Sequence, residues 1–218
     1  MVSRDEKETG PLDLHAVIDS LRAKRKIFHS EADFQFALAW EIQLQYRTAR
    51  VRLEYPWGTI AGKRAAIDIL VTIDDEDIPI ELKYAKRNLL VEEYGEVYDL
   101  HHQGAKDRKC YMHINDLCRV ERFVKLNQNS RVGYVLWLIN DLSFTKPPKD
   151  DTACYFDFSI HEGAELHDTM QWGDTAGPKT RQGCEEPLVL NKRYKIHWQD
   201  YSSFEGKNGL FKYALIKV

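Results

Sequence analysis

Two runs of alternating apolar residues, Ala65 to Ile73 and Ile78 to Tyr84, are separated only by Asp74-Asp75-Glu76-Asp77. Their β-branched content and period of two specify strands, and so short a connection predicts an antiparallel hairpin. Pairing Ile73 with Ile78 across a four-residue loop sets Val71 opposite Ile80 and Ile69 opposite Leu82, which makes one apolar face. The other face then receives Asp68 opposite Lys83, with Glu81 one diagonal step away.

Two carboxylates and an ammonium rarely converge on a sheet face for packing alone, since clustered charge is costly to keep together. Metal-assisted phosphodiester hydrolysis has a use for this set. Hard oxygen ligands hold Mg²⁺ or Mn²⁺, and the ion polarises the phosphoryl oxygens and activates water. Asp68 and Glu81 are the candidate side-chain ligands, and the carbonyl of Leu82 between Glu81 and Lys83 is a natural third. Lys83, on the same strand face as Glu81, can orient or deprotonate the attacking water or offset charge in the transition state. The alternative reading of the same residues is a cross-strand Asp68–Lys83 ion pair on a solvated face.

The flanking pattern supplies context. Ser30 is a good N-cap for a helix over Glu31 to Gln45, with Phe34, Leu38, Ile42 and either Ala37 or Trp40 at helical spacing. A shorter helix is expected over Leu12 to Leu21. A first strand spans Arg50 to Tyr55 and ends at Pro56-Trp57-Gly58. Gly104 to Lys125 reads as a long helix with Tyr111, Ile114, Leu117, Cys118 and Val124 as its buried stripe, and Arg131 to Ile139 as an apolar strand.

Ile67-Asp68, followed after twelve residues by Glu81-Leu82-Lys83, resembles the signature of the PD-(D/E)XK nuclease superfamily, with Ile67 in place of the proline. The resemblance covers about residues 28 to 140. It implies an α/β, restriction-endonuclease-like core of helix, three-stranded meander, helix and strand, with a mixed central sheet flanked by helices. It also implies a magnesium-dependent endonuclease acting on DNA by family habit. An acidic residue on the first helix is a common further member of such sites; Glu31 is the matching position and Glu41 the second choice. The helix after the meander borders the site in relatives. Their Gln and Tyr four apart are not reproduced here, because Gln103 is followed four later by Asp107 and eight later by Tyr111. For Asp107 and Arg119 an exposed face, with Asp116 pairing Arg119 at i,i+3, is as good a reading as a place beside the site.

Lys86, Arg87, Lys106, Arg108 and Lys109 follow the proposed site closely and are the candidate phosphate contacts. The net charge of −3 excludes a protein that coats nucleic acid non-specifically, so any such contact is a local patch. Adjacent His101 and His102 point apart and lack a third ligand at zinc spacing, which favours a solvated approach to the long helix.

Residues 1–27 are read as an N-terminal helical extension, 28–145 as the nuclease-like core and 146–218 as a C-terminal β-rich elaboration. Within that elaboration Cys154 to Ile160 is a strand candidate, about 162–187 a long loop or lid, and Tyr194 to Trp198 and Leu210 to Val218 closing strands. Trp172 and Trp198 can stack on bases or pack in the core. Four widely spaced cysteines, no secretory-type apolar run near Met1 and no long apolar span predict a reduced, cytoplasmic chain without membrane contact. Cleavage of two strands would favour a homodimer. The rival from another class is a nucleic-acid- or protein-binding module that keeps the fold without turnover.

Overall fold

Side-chain caps start the first two helices of the computed structural model, which describes residues 10–60 and 63–218. Residues 1–9 of the expected N-terminal extension lie outside the described residues. Asp13 accepts from the amide of Ala16 at the start of α1 (Leu14–Lys24). Ser30 accepts from that of Asp33 at the start of α2 (Glu31–Gln45), and a cap of this kind contributes about 1 kcal/mol. Phe34, Leu38 and Ile42 are buried as their spacing requires. Ala37 is half-buried, whereas Trp40 is 68% exposed, so Ala37 completes the stripe.

Strands β1 (Arg50–Ile60), β2 (Lys63–Ile73) and β3 (Glu76–Ala85) form an antiparallel meander. Strand β1 does not stop at Pro56. It lies at the sheet edge, where a missing N–H is tolerated, and a register shift between Pro56 and Gly58 absorbs the irregularity. The β2–β3 loop is also tighter than the expected four residues. Asp74 and Asp75 both take positive φ (47° and 64°), the conformation that a two-residue hairpin turn needs and that Asp tolerates. Ile73 therefore pairs with Glu76, Val71 with Ile78 and Ile69 with Ile80. The register is shifted by two from the expected one, and an even shift leaves every side chain on its expected face.

After β3 come a short hairpin, β4 (Leu89–Glu93) and β5 (Glu96–Leu100), helix α3 (Lys106–Leu126) and strand β6 (Tyr134–Ile139). β6 pairs with β3 in parallel from Ile80↔Tyr134 to Ala85↔Ile139. In the C-terminal part, Cys154 to Ile160 holds a 3-10 turn at Phe156–Phe158 rather than a strand. The expected long loop contains β7 (Glu165–Met170) and the one-turn α4 (Pro178–Arg181). β8 (Leu188–Lys195), β9 (Gln199–Ser203) and β10 (Leu210–Lys217) complete the chain. The main sheet has the order β1-β2-β3-β6-β10-β9, and β7 pairs separately with β8. The molecule is thus α/β with a mixed central sheet between helices. Among the described residues no helix is long and apolar enough to cross a membrane.

The two sheet faces bury different partners. Ile69, Val71, Ile80, Leu82 and Leu136 face the layer of α1 and α2, while Val135, Trp137, Ile139 and Ala214 face α3 and the β7–β8 hairpin. A fully buried aliphatic side chain of this size contributes roughly 1.5–3 kcal/mol. Glu121 of α3 fastens β8: its carboxylate accepts from the backbone amides of Asn191 (2.8 Å) and Lys192 (3.1 Å), the Asn191 side chain (2.8 Å) and Tyr194 Oη (2.7 Å). Trp172 and Trp198 are not available to bases. Trp172 stacks on Tyr111 at 5.6 Å and donates to the carbonyl of Cys184; Trp198 packs on Trp137 and donates to that of Ile160.

Candidate active site

β2 and β3 part company just where the charged residues stand. The β2–β3 pairing runs from Ile73↔Glu76 to Ile69↔Ile80, whereas β3 stays paired with β6 as far as Ala85. Beyond Ile80, the backbone groups of β3 that point toward β2 need other partners. The amide of Leu82 donates to Asp68 Oδ2 at 2.7 Å, and that of Tyr84 to Glu31 Oε2 at 2.7 Å. The carbonyl of Leu82 accepts from Lys83 Nζ at 2.9 Å. Side chains from α2 and β2 thus close a gap between β2 and β3 within the sheet and are held there by main-chain geometry. Gln35 of α2 steadies β2 by donating to the carbonyl of Asp68 (2.7 Å) and to Glu54 (2.9 Å).

α3 supplies the rest. Asp116 Oδ2 lies 2.8 Å from Lys83 Nζ, and Glu31 Oε1 lies 3.7 Å from it. Arg119 reaches Glu81 Oε1 (2.8 Å) and Asp116 Oδ1 (3.2 Å), and donates to the carbonyl of Ala66. The i,i+3 pair Asp116–Arg119 exists as its spacing predicts, but Asp116 is buried instead of lying on an exposed face. Asp116 and Gln35 carry no motif signal. The one trace of Asp116 in the sequence is its i,i+3 spacing from Arg119.

Burial and mutual repulsion set the protonation states. Glu81 is fully buried, and desolvation together with the negative charges of Asp116 and Asp68 pushes its pKa well above the usual carboxylate range despite Arg119. Desolvation likewise raises Asp116 against the opposing pull of Lys83. Burial alone would lower Lys83, but Asp116, Glu31 and Asp68 outweigh it and hold the ammonium protonated. Glu31 is also raised, by desolvation first, although 46% of its side chain remains open to solvent.

The structure therefore brings Asp68, Glu81, Lys83, the Leu82 carbonyl and Glu31 together. Asp68 lies opposite Glu81 if the observed register is continued one step, in place of the expected partner Lys83. Glu41 is elsewhere: buried, it binds Lys24 at 2.6 Å and Gln45 on the α1 side. Asp107 accepts from the Arg108 amide, and Tyr111 Oη donates to the carbonyl of Glu186, so neither enters the cluster. Of the basic candidates, Lys86 donates to the carbonyl of His29, Arg87 pairs with Asp141 at 2.9 Å, and Lys106 donates to the carbonyl of Ser143. Lys109 donates to Gln103, while Arg108 has no ion pair among the described residues.

Among the described residues no three His, Cys, Asp or Glu side chains form a ready-made metal cage. The donor set nevertheless suits a hard divalent cation. Neither oxygen of Glu81 makes an aligned hydrogen bond, although both are buried, and Arg119 lies against one of them at ion-pair distance. Four carboxylates (Glu31, Asp68, Glu81, Asp116) face two cations (Lys83, Arg119), an excess of two negative charges when all are ionised. No protein-family signature, curated protein or solved structure matches this chain.

Proposed function

We propose that the chain is a metal-dependent nuclease that hydrolyses phosphodiester bonds, with DNA as the substrate to test first. One observation carries the reading: an opening between two strands of a sheet holds Asp68, the Leu82 carbonyl and Lys83 beside a buried Glu81 carboxylate that only the Arg119 ion pair engages. The order α2, meander, α3, β6 around that opening supports a restriction-endonuclease-like core.

In this reading Asp68, Glu81 and the Leu82 carbonyl would hold Mg²⁺ or Mn²⁺. When bound, the ion would polarise the phosphoryl group and lower the pKa of water. Lys83, kept protonated by Asp116, donates to the charge that develops on the phosphoryl oxygens and is not the proton acceptor. Glu31, partly open to solvent and raised in pKa, takes up the proton of the attacking water. Arg119 balances Glu81 in the absence of a divalent metal, and Asp116 keeps both cationic side chains in place.

A second reading, a binding module without turnover, draws on the Glu81–Arg119 pair, which closes the metal side of the site from within. Calorimetric titration of Mg²⁺ and Mn²⁺ into wild type and Asp68→Asn, with plasmid and single-stranded DNA nicking alongside, separates the two. Metal binding and nicking that disappear together in Asp68→Asn are the expected result. A wild type that binds neither ion and cuts neither substrate would transfer the assignment to the binding module.

A further inference from the structure

A pocket of about 850 Å³, separate from the carboxylate cluster, lies where the chain leaves the parallel strands β3 and β6. Its walls are Arg87 and Asn88 after β3, Asn140 to Ser143 and Lys146 after β6, His102, and the Gly206-Lys207-Asn208-Gly209 turn between β9 and β10. Asn140 fixes the walls to one another. It accepts from the Arg87 amide (2.7 Å) and donates to the carbonyls of Arg87 (3.3 Å) and Asn208 (3.0 Å). Asn208 in turn donates to the carbonyl of Asn88 at 3.0 Å.

The charge of this pocket runs against that of the chain. Arg87, Lys146 and Lys207 face a single carboxylate, Asp141, so with His102 neutral the pocket is positive by two while the whole chain is −3. Asp141 is engaged by Arg87, whereas Lys146 and Lys207 are exposed and have no ion pair among the described residues. Amide, hydroxyl and charged side chains line the pocket together with Leu142 and Leu210, and no Phe, Tyr or Trp does, which suits sugar-phosphate and not stacked bases.

The pocket is also joined to the carboxylate cluster. Arg87 follows Lys83 by four residues, a span of no more than about 14 Å. Lys86 occupies the interval: it donates to the carbonyl of His29, two residues before Glu31, and Arg87 after it pairs with Asp141 in the pocket wall. Two successive cations, Lys86 and Arg87, thus link the carboxylate cluster to the pocket.

We infer that this pocket holds phosphodiester groups of the substrate strand to one side of the scissile bond, an inference that rests on the nuclease reading. Lys146 and Lys207 are its phosphate contacts, and its polar wall makes it indifferent to base sequence.

The test is fluorescence anisotropy of a labelled single-stranded oligonucleotide in EDTA, across a salt series, with wild type and the double variant Lys146→Gln/Lys207→Gln. Both lysines are exposed, so the fold is retained and thermal melts verify it. Losing two phosphate contacts should reduce the slope of log K against log salt by about 1.4. Low-salt affinity should fall at least about tenfold with it. An unchanged slope and affinity, or no binding by wild type, overturns the inference. So does full displacement of the oligonucleotide by a mononucleotide 5′-phosphate, which would make the pocket a site for free nucleotides. Cleavage with Mg²⁺ is followed in parallel. Cutting with an unaltered slope removes the pocket assignment alone, and a reduced slope without cutting removes the nuclease reading alone.

Discussion

Glu81→Gln tests the electrostatics of the site while keeping its shape. Wild-type Glu81 is fully buried and shares the cluster with Asp68 and Asp116, with Arg119 as its one close cation at 2.8 Å. At an effective dielectric of about 20, that pair attracts by roughly 6 kcal/mol. Removing each ion from water costs several kcal/mol, and the two neighbouring carboxylates repel Glu81 further. The raised pKa of Glu81 says which side wins, because the site favours the neutral carboxyl. The neutral isostere should therefore stabilise the fold at neutral pH by about 1–2 kcal/mol, the usual yield of relieving an active-site strain. For a chain of this size that is a rise in Tm of roughly 2–8 °C. Arg119 is not stranded, since Asp116 and the carbonyl of Ala66 remain. A carboxyl whose folded pKa lies above its unfolded value favours the fold while protonated. Its contribution is complete below the unfolded pKa of about 4.3 and is lost as pH rises through the folded value. The gain from Glu81→Gln should accordingly be large in calorimetric melts near pH 7.5 and shrink toward about pH 4.5. A variant that melts lower than wild type at neutral pH would refute the reasoning, because the Arg119 pair would then outweigh desolvation and repulsion.

Lys83→Met should reduce nicking by at least about 10²-fold and lower stability by roughly 1–3 kcal/mol, since Asp116 keeps only Arg119 as a cation. Lys83→Arg should recover much of the stability in urea titrations without recovering the activity, which distinguishes a positioned ammonium from mere charge balance. Glu121→Ala strips the acceptor from two backbone amides, one side-chain amide and one phenol; urea titration should show a loss of about 2–4 kcal/mol. Amide exchange should rise selectively in β8, and an unchanged exchange pattern would show that β8 is held by its apolar contacts alone.

The elements with a strong period are legible in the chain, and those defined by tertiary partners are not. The face assignment of Asp68, Glu81 and Lys83 survives a two-residue difference in register because strand parity depends only on odd against even. The difference arises because Glu76 and Asp77 look like loop residues by their charge. Asp77 is in fact paired with Thr72, whose hydroxyl donates to it at 2.6 Å. Strands β4, β5, β7 and β9 are short and polar on at least one side, so alternation is weak there and packing decides. Asp116 does not stand out by type, since an aspartate on a charged helix is ordinarily exposed. Only the placement of α3 over β3 turns it inward.

What joins fold to chemistry is the missing stretch of β2–β3 pairing. Had the ladder continued past Ile80, the amides of Leu82 and Tyr84 would have been engaged by β2 and the Leu82 carbonyl closed off. Because it stops, Asp68 and Glu31 each serve twice, as acceptors that satisfy a buried amide and as carboxylates of the site. An unsatisfied buried amide costs roughly 1–3 kcal/mol, so alanine at either position would mix lost structure with lost chemistry. The substitutions Asp68→Asn and Glu31→Gln retain an acceptor for the amide and remove only the charge. If both spare stability and abolish metal binding or nicking, the carboxylates are there for the reaction. If they leave metal binding and nicking unaltered, the gap is a structural closure of the sheet, and the acidic cluster serves to hold α2 and α3 against it.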